Sequence, residues 1–224
     1  MIDRSGSLVR ELRTPRAAGI AGILFSLLLA AAVLLIQWAL PRDGVSSEWL
    51  TQDSRRRAVA VAIGLIPYAG IAFLWFIGVI RARLGELEDR FFATAFLGSG
   101  LLFVAMLFTA AAVTGALLDI YGRTEQVTSA DARLTSAIVS ALLGTFGIRM
   151  AAVFTLVVTN LGRRTGIVPP WLVAVGYTTG LVLLFAPPMT LWATLLFPAW
   201  VLALSVNMLV MSLRKPAYPV VSRD

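Results

Sequence analysis

The chain contains no cysteine and no histidine. Disulfides, thiol nucleophiles, zinc sites of the Cys/His kind, histidine-ligated haem and histidine general bases are therefore excluded from its chemistry. Charge is also scarce: 14% of the 224 residues are charged, against 58% hydrophobic, with a mean hydropathy of +0.85. Soluble domains carry about 25% charged residues, so this composition belongs to a chain whose surface meets lipid. The net charge of +7 comes from 18 arginines and the single Lys215 against 12 acidic residues. These basic residues are dispersed rather than clustered, which excludes a nucleic-acid footprint and suits a GC-rich bacterial genome.

Several motifs are missing as well. There is no HExxH, no GxxxxGK[ST], no GxGxxG following a strand and no acidic pair within an apolar run. No catalytic residue, cofactor or metal ligand is assigned, and the expectation is a protein that is not an enzyme. Glu86, Glu88 and Asp89 lie together between Arg83 and Arg90 and read as a salt-bridged turn rather than a cation site.

What is present is a series of long apolar runs. The sequence predicts an all-α polytopic transmembrane helical bundle of six spans, at 17–40, 58–80, 91–118, 136–161, 167–185 and 189–211. Together they form one membrane domain, 17–213, between an N-terminal segment, 1–16, and a tail, 214–224. The first run is too long for the apolar core of a secretory signal, so it reads as a retained span. Leu8, Val9 and Leu12 suggest a short amphipathic turn before it.

Lysine and arginine counts set the expected orientation. Twelve lie on the side of the termini and six on the other, so both termini are expected in the cytoplasm of a bacterial cell, against the vote of Arg55 to Arg57. Small-residue spacings, Gly98-Ser99-Gly100, Ala111 to Gly115 and Gly176 to Gly180, predict close helix crossings. Ser99 reads as packing, since no base accompanies it within a span. A shift of 80 residues lays Gly64 on Gly144 and Gly100-Leu101 on Gly180-Leu181, the pattern of a parallel internal repeat.

One residue breaks the apolar pattern. Arg149 stands near the middle of the fourth span, where a cation costs roughly 2.5 to 3.5 kcal/mol to insert and ordinarily has a partner. At about 3.6 residues per turn its face includes Ile138, Leu142, Thr145, Ala152, Leu156 and Asn160. Candidate partners are Tyr68, the carbonyls freed by Pro67 and Pro198, and Asp119 as counter-ion at the end of the third span. Arg149, Thr145, Tyr68 and Asn160 thus form a candidate anion- or lipid-binding set, with a structural clamp as the competing reading.

The second half carries a local pattern: Gly144-Thr-Phe-Gly-Ile-Arg-Met, Arg164-Thr165-Gly166-Ile167-Val168-Pro169, Trp171-Leu172 and Gly176-Tyr177. It resembles small bacterial multi-span membrane proteins of a domain-of-unknown-function class. The resemblance implies an all-helical integral membrane fold and assigns no activity or site residue. The functional expectation is an accessory or scaffold protein whose partners are the bilayer and a membrane protein or a second copy. The alternative is a small transporter, channel or lipid- or anion-binding protein centred on Arg149, with an anionic small molecule or lipid as ligand.

Overall fold

The computed structural model describes residues 15–40, 48–84, 90–124, 127–166, 168–185 and 191–214. The N-terminal turn at Leu8 to Leu12, the acidic group at Glu86 to Asp89 and the Ala186-Pro187-Pro188 turn lie outside the described residues. Within them the chain is helical throughout: α1 (Pro15–Ala39), α2 (Glu48–Thr51), α3 (Asp53–Leu84), α4 (Arg90–Thr124), α5 (Ser129–Val139), a π segment (Ser140–Gly147), α6 (Ile148–Arg164), α7 (Pro170–Phe185) and α8 (Leu191–Arg214). Five helical stretches are long and apolar enough to cross a membrane, α5, the π segment and α6 counting as one. The fifth predicted span, α7, has 16 residues. That is about 24 Å of helix, short of a hydrocarbon layer of about 30 Å. The repeat reading pairs α4, with 35 residues, with this 16-residue helix, so the two halves are unlike in length.

Local chemistry explains the helix ends. Thr128 caps α5: its hydroxyl accepts from the Asp131 backbone N–H, while the Asp131 carboxylate accepts from the Thr128 N–H, a reciprocal capping box. The Arg163-Arg164-Thr165-Gly166 end of α6 closes through Gly166 at φ 67°, a conformation that glycine adopts without strain. Pro170 then opens α7, at a position where a missing N–H is harmless, and the Leu172 N–H donates to the Pro169 carbonyl.

The centre of the bundle is aromatic. Phe25 of α1, Phe73 and Phe76 of α3, Phe96 and Phe103 of α4, Phe154 of α6 and Phe197 of α8 are all buried. Phe73 is the hub, its centroid 4.4 Å from Phe25, 5.0 Å from Phe154, 5.6 Å from Phe103 and 5.8 Å from Phe197. Tilted and edge-on rings at such distances attract through their quadrupoles as well as by dispersion. Beside them is an apolar cavity of about 70 Å³ between Leu29, Phe103, Leu143, Ile148, Thr194 and Phe197.

Small residues let the outer helices reach this core. On α1, a methyl group added at Gly22 would lie 2.0 Å from Ser205 Oγ and 2.9 Å from the Phe76 ring, and one at Gly19 would lie 3.0 Å from Leu209 Cβ. Gly19 beside Leu209 also puts the start of α1 and the finish of α8 at one end of the bundle. The opposite end is held by a smaller cluster of Ala39, Trp49, Leu50, Val59 and Leu117. There Arg56 pairs with Asp53, donates to the Leu50 carbonyl at 3.1 Å and stands 5.4 Å from the Tyr121 ring. One member of the Arg55 to Arg57 run is thus tied into the fold.

Candidate functional site: Arg149 and the end of α7

Ser129 to Arg164 is one unbroken helix in which the hydrogen-bond pattern changes twice. Across Ser140–Gly147 it widens to a π turn, with the Ile148 N–H reaching the Leu143 carbonyl five residues back. Gly144 and Gly147 are both buried here, and a methyl group at Gly147 would lie 3.0 Å from the Leu142 carbonyl oxygen. Two glycines and the β-branched Thr145 make this stretch of sequence a poor α-helix, which lowers the penalty for the wider turn.

Arg149 is the second residue after that segment. Its side chain is half-buried and leans back toward the start of the helix, where Nη1 donates to the Thr145 carbonyl at 2.7 Å. The direction follows from the tilt of every Cα–Cβ bond toward the helix N-terminus. Thr145 is therefore joined to Arg149 through its backbone oxygen, a carbonyl of its own helix rather than one freed by Pro67 or Pro198.

The other candidates sit elsewhere. Tyr68 is exposed on α3, beside an open groove of about 350 Å³ lined by Ala60, Gly64, Pro67, Phe108 and Ala112. Asp119 pairs with Arg123 one turn on, at 3.0 Å, with both side chains mostly exposed. Asn160 accepts from the Tyr177 hydroxyl at 3.3 Å, and Arg163 stands 5.9 Å from the Tyr177 ring. Asn160 thus belongs to the α6–α7 contact, about 16 Å of helix away from Arg149 at 1.5 Å per residue. Ile138, placed on the Arg149 face by a regular helical period, is exposed. The π segment is the physical reason, since each wide turn offsets everything before it.

The α6–α7 contact also fixes a register. A methyl group at Gly176 would lie 2.2 Å from Thr159 Oγ1, and one at Gly180 would lie 2.6 Å from Leu156 and 3.4 Å from the Ala152 carbonyl oxygen. Both glycines of the GxxxG pair serve a close antiparallel crossing. Continuing that register sets Arg149 opposite the Phe185 end of α7.

Two polar atoms at this crossing were not legible in the sequence. Thr159 Oγ1 and Trp200 Nε1 are buried without a hydrogen-bond partner, each against Gly176. A buried hydroxyl without a partner is destabilising by about 1 to 3 kcal/mol, so Thr159→Val should be neutral or raise stability by about 1 kcal/mol. Thermal unfolding of the two proteins in the same detergent checks this. By contrast Ser99, 5% exposed, donates to the Ala95 carbonyl at 2.6 Å and is satisfied within its own helix.

Among the described residues no three acidic side chains converge in a way that would hold a metal ion. The fold and the site together define an all-helical protein whose apolar helices are compatible with membrane embedding, with one half-buried arginine at a π-to-α junction within an apolar helix. The chain matches no family model, no curated protein and no solved structure.

Proposed function

We propose that this protein is a non-enzymatic accessory or scaffold component of a bacterial cytoplasmic membrane complex, crossing six times with both termini cytoplasmic and working through helix-to-helix contact. The observation that carries this reading is the closed centre. Seven buried phenylalanine rings from five helices fill the centre of the described bundle. The cavity next to them, about 70 Å³, is walled almost wholly by apolar side chains. A conduit for a polar solute needs donors, acceptors or charge along its length, and these walls offer carbon.

The outward faces support the same reading. In the α4 window of membrane length, 28% of residues are buried, and Leu101 and Leu102 are about half exposed on its outward face. The open groove between α3 and α4 is floored by Ala60, Gly64 and Ala112, the kind of small-residue surface against which helices approach closely in lipid.

A photo-crosslinking residue at Leu102, activated in native membranes, tests the reading. The expected result is a discrete adduct heavier than the 24.1 kDa chain, with a second copy recognised by a doubled mass. Labelling of lipid alone from Leu101, Leu102 and Gly64 would remove the scaffold reading.

A further inference from the structure

α3 and α4 touch closely at two places and part between them. A methyl group added at Gly70 would lie 2.3 Å from the Phe108 ring, and one at Gly115 would lie 3.5 Å from Ile63. Between these contacts is the open groove of about 350 Å³, with Ile63, Gly64, Pro67, Ala111 and Ala112 among its walls. A methyl group at Gly64 would meet nothing within 4 Å, so the α3 wall leaves room for another backbone to approach. Every residue that lines the groove belongs to a described helix.

One acceptor and one donor stand at this groove. Pro67 has no N–H, so the Ile63 carbonyl lacks its α-helical donor, and its oxygen lies between two residues that both line the groove. Tyr68, the next residue, is 65% exposed, and no described residue bonds its hydroxyl. Tyrosine in a membrane helix ordinarily sits at the interface, where its hydroxyl meets water. Tyr68 instead lies ten residues from one end of the apolar run 58–80 and twelve from the other, about 15 to 18 Å of helix from either edge. Hydrocarbon at that depth satisfies neither the hydroxyl nor the carbonyl.

On the membrane-embedded, helix-contact reading proposed above, we infer that this groove seats a second copy of the chain, in a two-fold dimer in which the Tyr68 hydroxyl of each copy donates to the Ile63 carbonyl of the other. The depths agree. The Tyr68 Cα lies five residues, about 7.5 Å, beyond that of Ile63. The phenol leans back toward the helix start, as the Cα–Cβ bond directs, while the carbonyl points forward, so the two groups meet at an intermediate height. Copies inserted the same way round are related by an axis along the membrane normal, which preserves height, and both bonds form together. Donor and acceptor at one depth on one surface give the self-complementarity of an isologous interface. A lipid chain in the same groove would leave both groups unsatisfied.

Single cysteines in the full chain, oxidised in native membranes, test the inference. Gly64→Cys extends into open space and should give a disulfide-linked dimer. Leu34→Cys is the control: Phe25 packs on Phe73, and Leu34 lies nine residues on from the one as Gly64 lies nine back from the other, so the two share a depth on different faces. It should stay monomeric. In lipid vesicles, energy transfer between labelled copies should report a dimer that Tyr68→Phe weakens roughly five- to tenfold, the effect of losing two interhelical hydrogen bonds. Pro67→Ala returns a donor to the Ile63 carbonyl and should weaken the dimer as much, and the two substitutions together should do little more than either alone. Gly64→Leu fills the groove and should leave monomers. The inference is overturned if Gly64→Cys cross-links no more than Leu34→Cys, or if Tyr68→Phe and Pro67→Ala leave the dimer at full strength. A monomer by these measures that still yields a heavier adduct with another protein from Leu102 would overturn the second copy and leave the scaffold reading standing.

Discussion

Phe73→Ala is expected to be among the most damaging single substitutions in this chain, destabilising the bundle by about 3 kcal/mol. The ring has no exposed surface and meets the rings of Phe25, Phe76, Phe103, Phe154 and Phe197. Truncating a buried phenylalanine in a soluble core costs about 3 to 5 kcal/mol, part of it transfer free energy and part the cavity left behind. In a bilayer the transfer part shrinks, because a separated helix still keeps its side chain in hydrocarbon. The packing part stays, since a rigid ring cluster on five helices cannot collapse into the space without moving all of them. The expected effect therefore lies at the lower end of the soluble range. Unfolding in mixed micelles with increasing dodecyl sulfate would measure it, and an unchanged midpoint would mean that the rings are not what joins the helices.

The second large effect is expected at Gly22. Alanine there places a methyl group 2.0 Å from Ser205 Oγ and 2.9 Å from two carbons of the Phe76 ring, both on fully buried residues. Neither neighbour has space to retreat into. The hydroxyl belongs to a short side chain under α1, and the ring is part of the aromatic centre. Overpacking of this kind costs about 1 to 3 kcal/mol, and here it also forces α1 away from both α3 and α8. The cause can be isolated with Ser205→Gly. Because Ser205 Oγ is buried without a partner, its removal should cost little alone and should restore most of the stability lost in Gly22→Ala. If the double variant were as unstable as the sum of the two, the clash would not be with Ser205.

Much of the architecture could be read from the sequence because lipid imposes a simple rule: backbone groups must be satisfied within each segment, so long apolar runs become helices. The close crossing at Gly176 and Gly180 was legible from the small-residue spacing, but spacing alone does not single it out: Gly98, expected at a close crossing by the same logic, has nothing within 4 Å of an added methyl group. The phenylalanine centre was not, because in a chain that is apolar on every face hydrophobicity no longer separates inside from outside. Phe73 and Phe76 are buried while Trp75 between them is exposed, and composition treats them alike.

The site was legible in part. Arg149 stood out as the one charge within an apolar run, and its lean toward Thr145 follows from helix geometry. The partners at a distance did not follow. Asp119 had a nearer cation in Arg123, one turn along its own helix, and Tyr68 faces outward from α3. The winding before Arg149 could not be foreseen, because face assignments assume a constant period and the π segment Ser140–Gly147 breaks it. The signal available was Gly144-Thr145-Phe146-Gly147, two glycines three residues apart in mid-helix, which marks a weak α-helix without saying how it will wind.

The absence of cysteine offers the most direct test of a centre closed to water. Ala72, Ala151 and Ala141 can each be replaced by cysteine with little change in volume, in a chain that has no other thiol. Ala72 and Ala151 are 3% and 1% exposed within the core, while Ala141 is exposed on the π segment. The measurement is reaction of each variant with a thiol reagent small enough to follow water, in sealed vesicles of both orientations. The account predicts that Ala72→Cys and Ala151→Cys stay unlabelled from either side until the protein is denatured. Labelling of either core position in the folded protein would reveal a water path through the bundle and contradict the closed centre on which the scaffold reading rests.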